Sequence, residues 1–130
     1  MELTTDIFQI VNLERSDEKI LATLSINDQS EIFKGHFPNQ PVVPGACMLQ
    51  LVKDILEAAF EKPLQLLKAE QLKFITMLVP GNEQELTLDI SYKILEDGNI
   101  KTTAKLIAGD LVCFKFQGIF LPMINDNLAK

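Results

Sequence analysis

Very little in this chain could hold a metal or staple a fold together. It has one histidine, His36, and two cysteines, Cys47 and Cys113, set far apart in apolar stretches. A lone His with two separated Cys does not supply the three or four ligands of a zinc site. Two cysteines in 130 residues are no disulfide framework, and both read as buried free thiols. Basic charge is scarce too. Twelve Lys and Arg stand against 18 Asp and Glu, a net charge of −6, with no basic cluster to meet a nucleic-acid backbone or an anionic membrane surface. The opening residues Met1 to Asp6 carry acid where a secretory signal needs an apolar core. No apolar run reaches the ~20 residues of a membrane-spanning helix, so a cytoplasmic location is expected. Six Gly and six Pro are too few for a low-complexity chain, and there is neither a repeat nor a linker.

What is present has the size and composition of a globular domain. With 47% hydrophobic and 23% charged residues, the chain can bury a core. One domain over residues 1–130 is expected, with 122–130 as a loosely held tail.

Residues 7–13 read as a first strand, which the polar run Glu14-Arg15-Ser16-Asp17-Glu18 closes like a turn. Ile20 to Ile26 alternates with period two and reads as a second strand. Pro38, Pro41 and Pro44 then stiffen an extended loop, since each fixes its own φ and disfavours helix before it. A helix is predicted from about Pro44 to Phe60, with Pro suited to its first turn. Cys47, Met48, Leu51, Val52, Ile55, Ala58 and Ala59 form its broad apolar face, and Gln50, Lys53, Asp54 and Glu57 a narrower polar stripe.

A meander should follow, with strands at 66–78, 86–94, 100–108 and 111–121. Pro80-Gly81, Asp97-Gly98 and Gly109-Asp110 are its turns. Six strands with one early helix and no βαβ alternation argue for a curled antiparallel sheet around a buried helix, an α+β fold.

The chemistry-bearing stretch is Gly35-His36-Phe37-Pro38-Asn39-Gln40-Pro41-Val42-Val43-Pro44-Gly45. His36 is the one side chain that ordinarily titrates near neutrality. It sits on a proline-braced loop that runs straight into a helix N-terminus, where backbone N–H groups and partial positive charge are available. A base beside such donors can take a proton alpha to a thioester carbonyl while the donors hold the developing oxyanion.

This stretch resembles the signature of the 3-hydroxyacyl-[acyl carrier protein] dehydratases: Gly-His-Phe-Pro, two residues, Pro, two residues, Pro-Gly, then the central helix. Lys73-Phe74 and Val79-Pro80-Gly81 are similar to the family's second half. The resemblance implies a hotdog fold, with about six strands wrapped around a long central helix. It implies His36 as catalytic base and the Gly45 backbone N–H as the donor to the thioester carbonyl, with Phe37, Val43 and Phe74 binding substrate. It implies no cofactor beyond the phosphopantetheine of an acyl carrier protein or CoA that carries the substrate, and subunits paired as dimers. In such a pair each site takes its histidine from one subunit and its acid from the other.

The chain departs from the family at Gln50, which stands where the acid belongs, fourteen residues after His36. A carboxamide matches Glu in size and hydrogen bonding but cannot deliver a proton, and losing a positioned acid costs ~10²–10⁴-fold in rate. Asp54 and Glu57 lie about 6 and 10 Å further along the helix and are poor substitutes. The segment before the first strand also lacks the family's His-Arg-Tyr-Pro-Phe-like run.

Three readings follow. The first is a dehydratase of acyl thioesters in fatty-acid, polyene or polyketide-like synthesis, working as a homodimer or paired with an acid-bearing relative. The second is a non-catalytic hotdog subunit that binds acyl chains and pairs with a catalytic homologue, and the third is an acyl thioesterase. An acidic carrier would need basic residues gathered at one entrance, for which Lys34, Lys68 and Lys73 are candidates.

Overall fold

The structure is a computed structural model that describes residues 7–27, 29–30, 43–79 and 85–123. Its elements are β1 (Phe8–Ser16), β2 (Lys19–Ile26), α1 (Gly45–Phe60), β3 (Leu64–Phe74), β4 (Leu86–Ile94), β5 (Ile100–Ala108) and β6 (Leu111–Pro122). The strands form one sheet in the order β1-β2-β4-β5-β6-β3, and every pairing is antiparallel. This is the hotdog arrangement that the resemblance implied. β4, β5 and β6 are a true meander, whereas β3 crosses over to the edge beside β6.

Alternation decides which face is core. Leu86, Leu88, Ile90 and Tyr92 of β4 are buried, as are Ile100, Thr102, Ala104, Leu106 and Ala108 of β5. Their partners between point outward, as period-two side-chain placement requires. Phe114, Phe116 and Phe120 of β6 are fully buried and join Leu51, Val52, Ile55 and Leu56 of α1 in one core. Each such side chain contributes ~1.5–3 kcal/mol relative to exposure, so the helix is held by packing rather than by propensity. The Asp97-Gly98 turn forms as expected: Gly98 takes a φ of 89°, and its N–H donates to Leu95 O at 2.9 Å.

Two boundaries differ from the sequence expectation. β1 continues through Glu14, Arg15 and Ser16 instead of turning there. Its polar end has partners: the Arg15 guanidinium donates to Ala59 O and Tyr92 Oη and lies 4.7 Å from the Phe60 ring centroid. β3 ends at Phe74 rather than running on to Leu78. The Ile75 and Thr76 N–H groups both donate to Cys113 O, which breaks the ladder. The chain then leaves the sheet so that Leu78 O accepts from Val43 N–H at 2.8 Å. β6 reaches Pro122, and Met123 N–H donates to Pro63 O at 2.9 Å.

Candidate active site

The bend after β3 brings three elements together. Val43, Gly45 and Met48 come from the entry and first turn of α1, and Phe74, Ile75, Thr76 and Met77 from the end of β3. They enclose a cavity of about 280 Å³, close to the lower end of the range for small-ligand sites. Pro44 precedes the first turn in an extended conformation (φ −61°, ψ 144°) and, having no polar side chain, gives it no cap; the first turn carries no acid either. Among the described residues, the opening turn of the helix thus has neither a side-chain cap from Pro44 nor a carboxylate of its own.

Gly45 is dictated by its neighbour. A Cβ there would sit 2.6 Å from two atoms of the Phe74 ring, so only glycine lets the aromatic wall rest directly on the helix start. Phe74 in turn stacks on Phe114, with ring centroids 5.3 Å apart. Val43, Gly45 and Phe74, three of the residues singled out from sequence, thus share one pocket. His36 and Phe37 lie outside the described residues, as does the Pro80-Gly81 turn.

Gln50 does not line this pocket. Five residues beyond Gly45, it points about 140° around the helix from it. It is half-buried, and its Nε2 donates to Asp54 Oδ1 at 2.9 Å. Asp54 is only 7% exposed, the one carboxylate among the buried side chains described. The polar stripe of α1 is therefore not a solvated face, because its members are engaged: Glu57 Oε2 accepts from Leu64 N–H at 2.8 Å, and Lys53 is half-buried. Asp54 was passed over as a member of that stripe, although a Gln–Asp pair four residues apart is a recognisable helix contact. Met48, Ile75, Thr76 and Met77 had no signal of their own, since their place depends on where β3 leaves the sheet.

A wider hollow of about 610 Å³, lined by Arg15, Ser16, Asp17, Glu18, Tyr92, Lys93 and Ile94, is the larger cavity. Its Arg15 is already committed to the C-terminal end of α1, and it lies away from the Gly45 amide, so it is the poorer candidate. Burial pushes the Cys47 thiol above its ordinary range, and does the same for Cys113 despite an opposing backbone hydrogen bond with Ala108. Both are free and buried, in environments that disfavour a reactive thiolate. Among the described residues no group of three His, Cys, Asp or Glu could hold a metal ion, and no helix is long and apolar enough to cross a membrane.

Among the described residues, an antiparallel six-stranded sheet packed on one long helix, with a pocket at the helix start, defines a hotdog protein. Solved structures agree on the fold: the dehydratase heterocomplex ApeI:P from Xenorhabdus doucetiae superposes with a TM-score of 0.70, covering 86% of this chain and 96% of that one at 20% identity. The chain belongs to the ApeI-like dehydratase family, whose model matches residues 12–100. It is 30% identical over 99 residues to an uncharacterized thioester dehydrase of Halalkalibacterium halodurans, a match that covers 70% of this chain but only 62% of that protein. It is also 27% identical over 148 residues to the 3-hydroxyacyl-[acyl-carrier-protein] dehydratase FabZ of Pediococcus pentosaceus, spanning 100% of this chain and 94% of the relative.

Proposed function

We propose that this chain acts on 3-hydroxyacyl thioesters as a dehydratase, in fatty-acid, polyene or polyketide-like synthesis. The substrate is carried on the phosphopantetheine of an acyl carrier protein or of CoA. His36 takes the C2 proton, the electron pair left behind becomes the C2=C3 double bond, and the C3–O bond breaks. The departing hydroxyl takes up a proton and leaves as water. The Gly45 N–H holds the thioester oxygen while charge builds there, as an oxyanion donor does. The observation that supports this reading best is Gly45 itself, kept free of a side chain by the Phe74 ring at an uncapped helix start.

The leaving hydroxyl still needs its proton, and the Gln50 carboxamide has none to give. With its Nε2 turned to Asp54, Gln50 orients a hydroxyl or water in the site of the subunit it pairs with, and an acid-bearing relative supplies the missing carboxylic acid to the Gly45 pocket of this chain. Pairing is favoured by the edge strand β3 and the bend that follows it. Leu67, Leu72, Phe74, Ile75, Met77 and Val79 are all exposed there, Met77 by 69%, and an unpaired apolar edge is a surface that another chain covers. The Xenorhabdus neighbour is itself a dehydratase heterocomplex. The competing reading, a non-catalytic subunit that keeps the acyl pocket for its partner, is favoured by Gln50 alone.

Hydration of a trans-2-enoyl thioester tests this, using the chain alone and mixed with an acid-bearing homologue. Turnover should rise on mixing above that of the homologue alone and rise with Gln50→Glu in the unmixed chain; His36→Ala should abolish turnover of the unmixed chain and the gain on mixing. If no version turns over, alone or mixed, the chain is a binding subunit; release of free thiol from a saturated acyl thioester would make it a thioesterase.

A further inference from the structure

The strand registers fix which side chains share the outer face of the sheet. Lys73 of β3 stands opposite Lys115 of β6, which stands opposite Lys105 of β5, which stands opposite Asp89 of β4. The next row holds Gln71, Gln117, Thr103, Ser91 and Lys19. The row beyond it holds Lys68, Ile119, Lys101 and Lys93. Seven of the chain's 12 basic residues are lysines on this face, and all seven are exposed.

Apart from Asp89, the described acids lie elsewhere. Asp89 is answered by Lys19 at 3.9 Å, Glu14 is on the far strand β1, and Glu70 falls within the irregular part of β3. The other described acids occupy turns, strand approaches, or α1 and its C-cap. A chain of net charge −6 thus separates its charges, with positive strands and negative tips.

Lysines placed directly across from one another repel. Protection of a sheet edge would explain Lys68 and Lys73 on β3. It does not explain Lys105 and Lys115, which sit on interior strands. A binding role does.

The chemistry of the face selects among anions. Its three rows offer no aromatic ring for stacking a base and no aromatic anchor for a membrane interface. A second copy docked through the same face would present the same sign. Neighbouring lysines sit about 5 Å apart across strands, which matches carboxylates three or four residues apart on a helix, ~5–6 Å between Cβ atoms. The Lys73 row also begins one residue from Phe74, the wall of the Gly45 pocket.

We propose that the outer face of β3, β6, β5 and β4 docks the acidic helical face of a partner protein, the one that delivers the thioester to the Gly45 pocket; identifying that partner as the carrier rests on the function proposed above. The test titrates the full chain with an acidic acyl carrier protein bearing a saturated acyl group, at low and at physiological salt. The triple variant Lys73→Gln, Lys105→Gln, Lys115→Gln should fold, because it removes repulsion, and should bind at least tenfold more weakly. Lys53→Gln with Lys62→Gln, off this face, should bind like the parent, whose affinity should itself fall with salt as screening sets in. Equal affinity of parent and triple variant would overturn the proposal. So would a parent that ignores the carrier, or that prefers anionic phospholipid vesicles or single-stranded RNA at the same salt. Hydration of a CoA-borne enoyl thioester separates the two ideas. Lysine-dependent carrier binding without turnover leaves the surface standing and the dehydratase reading fallen; turnover without carrier binding does the reverse.

Discussion

At its C-terminal end α1 is closed by the protein. Glu61 turns left-handed (φ 54°) and its N–H returns to Glu57 O, while the Arg15 guanidinium reaches in from β1 to Ala59 O against Phe60 and Tyr92. A cation there also suits the negative end of the helix dipole. Among the described residues nothing comparable is present at the N-terminal end. Pro44 offers no side-chain cap, the first turn has no acid, and the neighbouring wall is an apolar ring resting on a glycine. One end of the same helix is finished by the fold, and the other opens beside a cavity that Gly45 lines. That asymmetry supports placing the proposed site at the open end.

Changes at the open end should alter chemistry more than stability, and changes at the closed end the reverse. The largest effect is expected from Gly45→Ala. The new methyl displaces the Phe74 ring, which is 54% exposed and free to swing outward. Thermal unfolding should therefore show a change within about 1 kcal/mol, while enoyl thioester hydration falls ~10²-fold through loss of oxyanion geometry. A Gly45→Ala chain that unfolds yet keeps full activity per folded molecule would erase the contrast.

Arg15→Ala comes next. It removes the helix-end contact and the ring contacts of a partly exposed cation, a loss of about 1–2 kcal/mol in denaturant unfolding. Turnover per folded molecule should stay unchanged. Gln50→Glu sharpens the comparison from the middle of the helix. It sets a second carboxylate against Asp54, where 2.9 Å now separates amide from carboxylate, and two acids that close share a proton. Their joint titration is raised in the folded state. The variant should thus match the parent below the ordinary carboxylate range and lose stability as pH rises through the raised value. The smallest signal is that of the thiols: Cys47 and Cys113 should react with a thiol reagent only as fast as the chain opens.

Much of this was legible in the sequence where the cause is local. Alternation over 86–94 and 100–108 and the Asp97-Gly98 turn depend on neighbours in sequence, and they match the structure. Pro44 marks the helix start to within a residue. The errors have long-range causes. Arg15 looks like turn material until Ala59, Phe60 and Tyr92 give it partners. β3 looks continuous to Leu78 until Cys113 O accepts twice and ends the ladder. Gly45, Val43 and Phe74 were reachable through the motif, but the Phe74 ring on Gly45 is a contact between two elements that no periodicity reports. Asp54 was hidden by its charge, which reads as surface until the Gln50 bond shows why it is buried.

The account stands on a base and an amide donor acting together at the open helix end, and exchange at C2 reads that partnership without needing the missing acid. A 3-hydroxyacyl thioester incubated with the purified chain in deuterium oxide should gain deuterium at C2, with exchange abolished by His36→Ala, strongly slowed by Gly45→Ala and left in place by Gln50→Glu. Absence of exchange in the parent, alone and with an acid-bearing partner, or exchange that survives loss of His36, would contradict it.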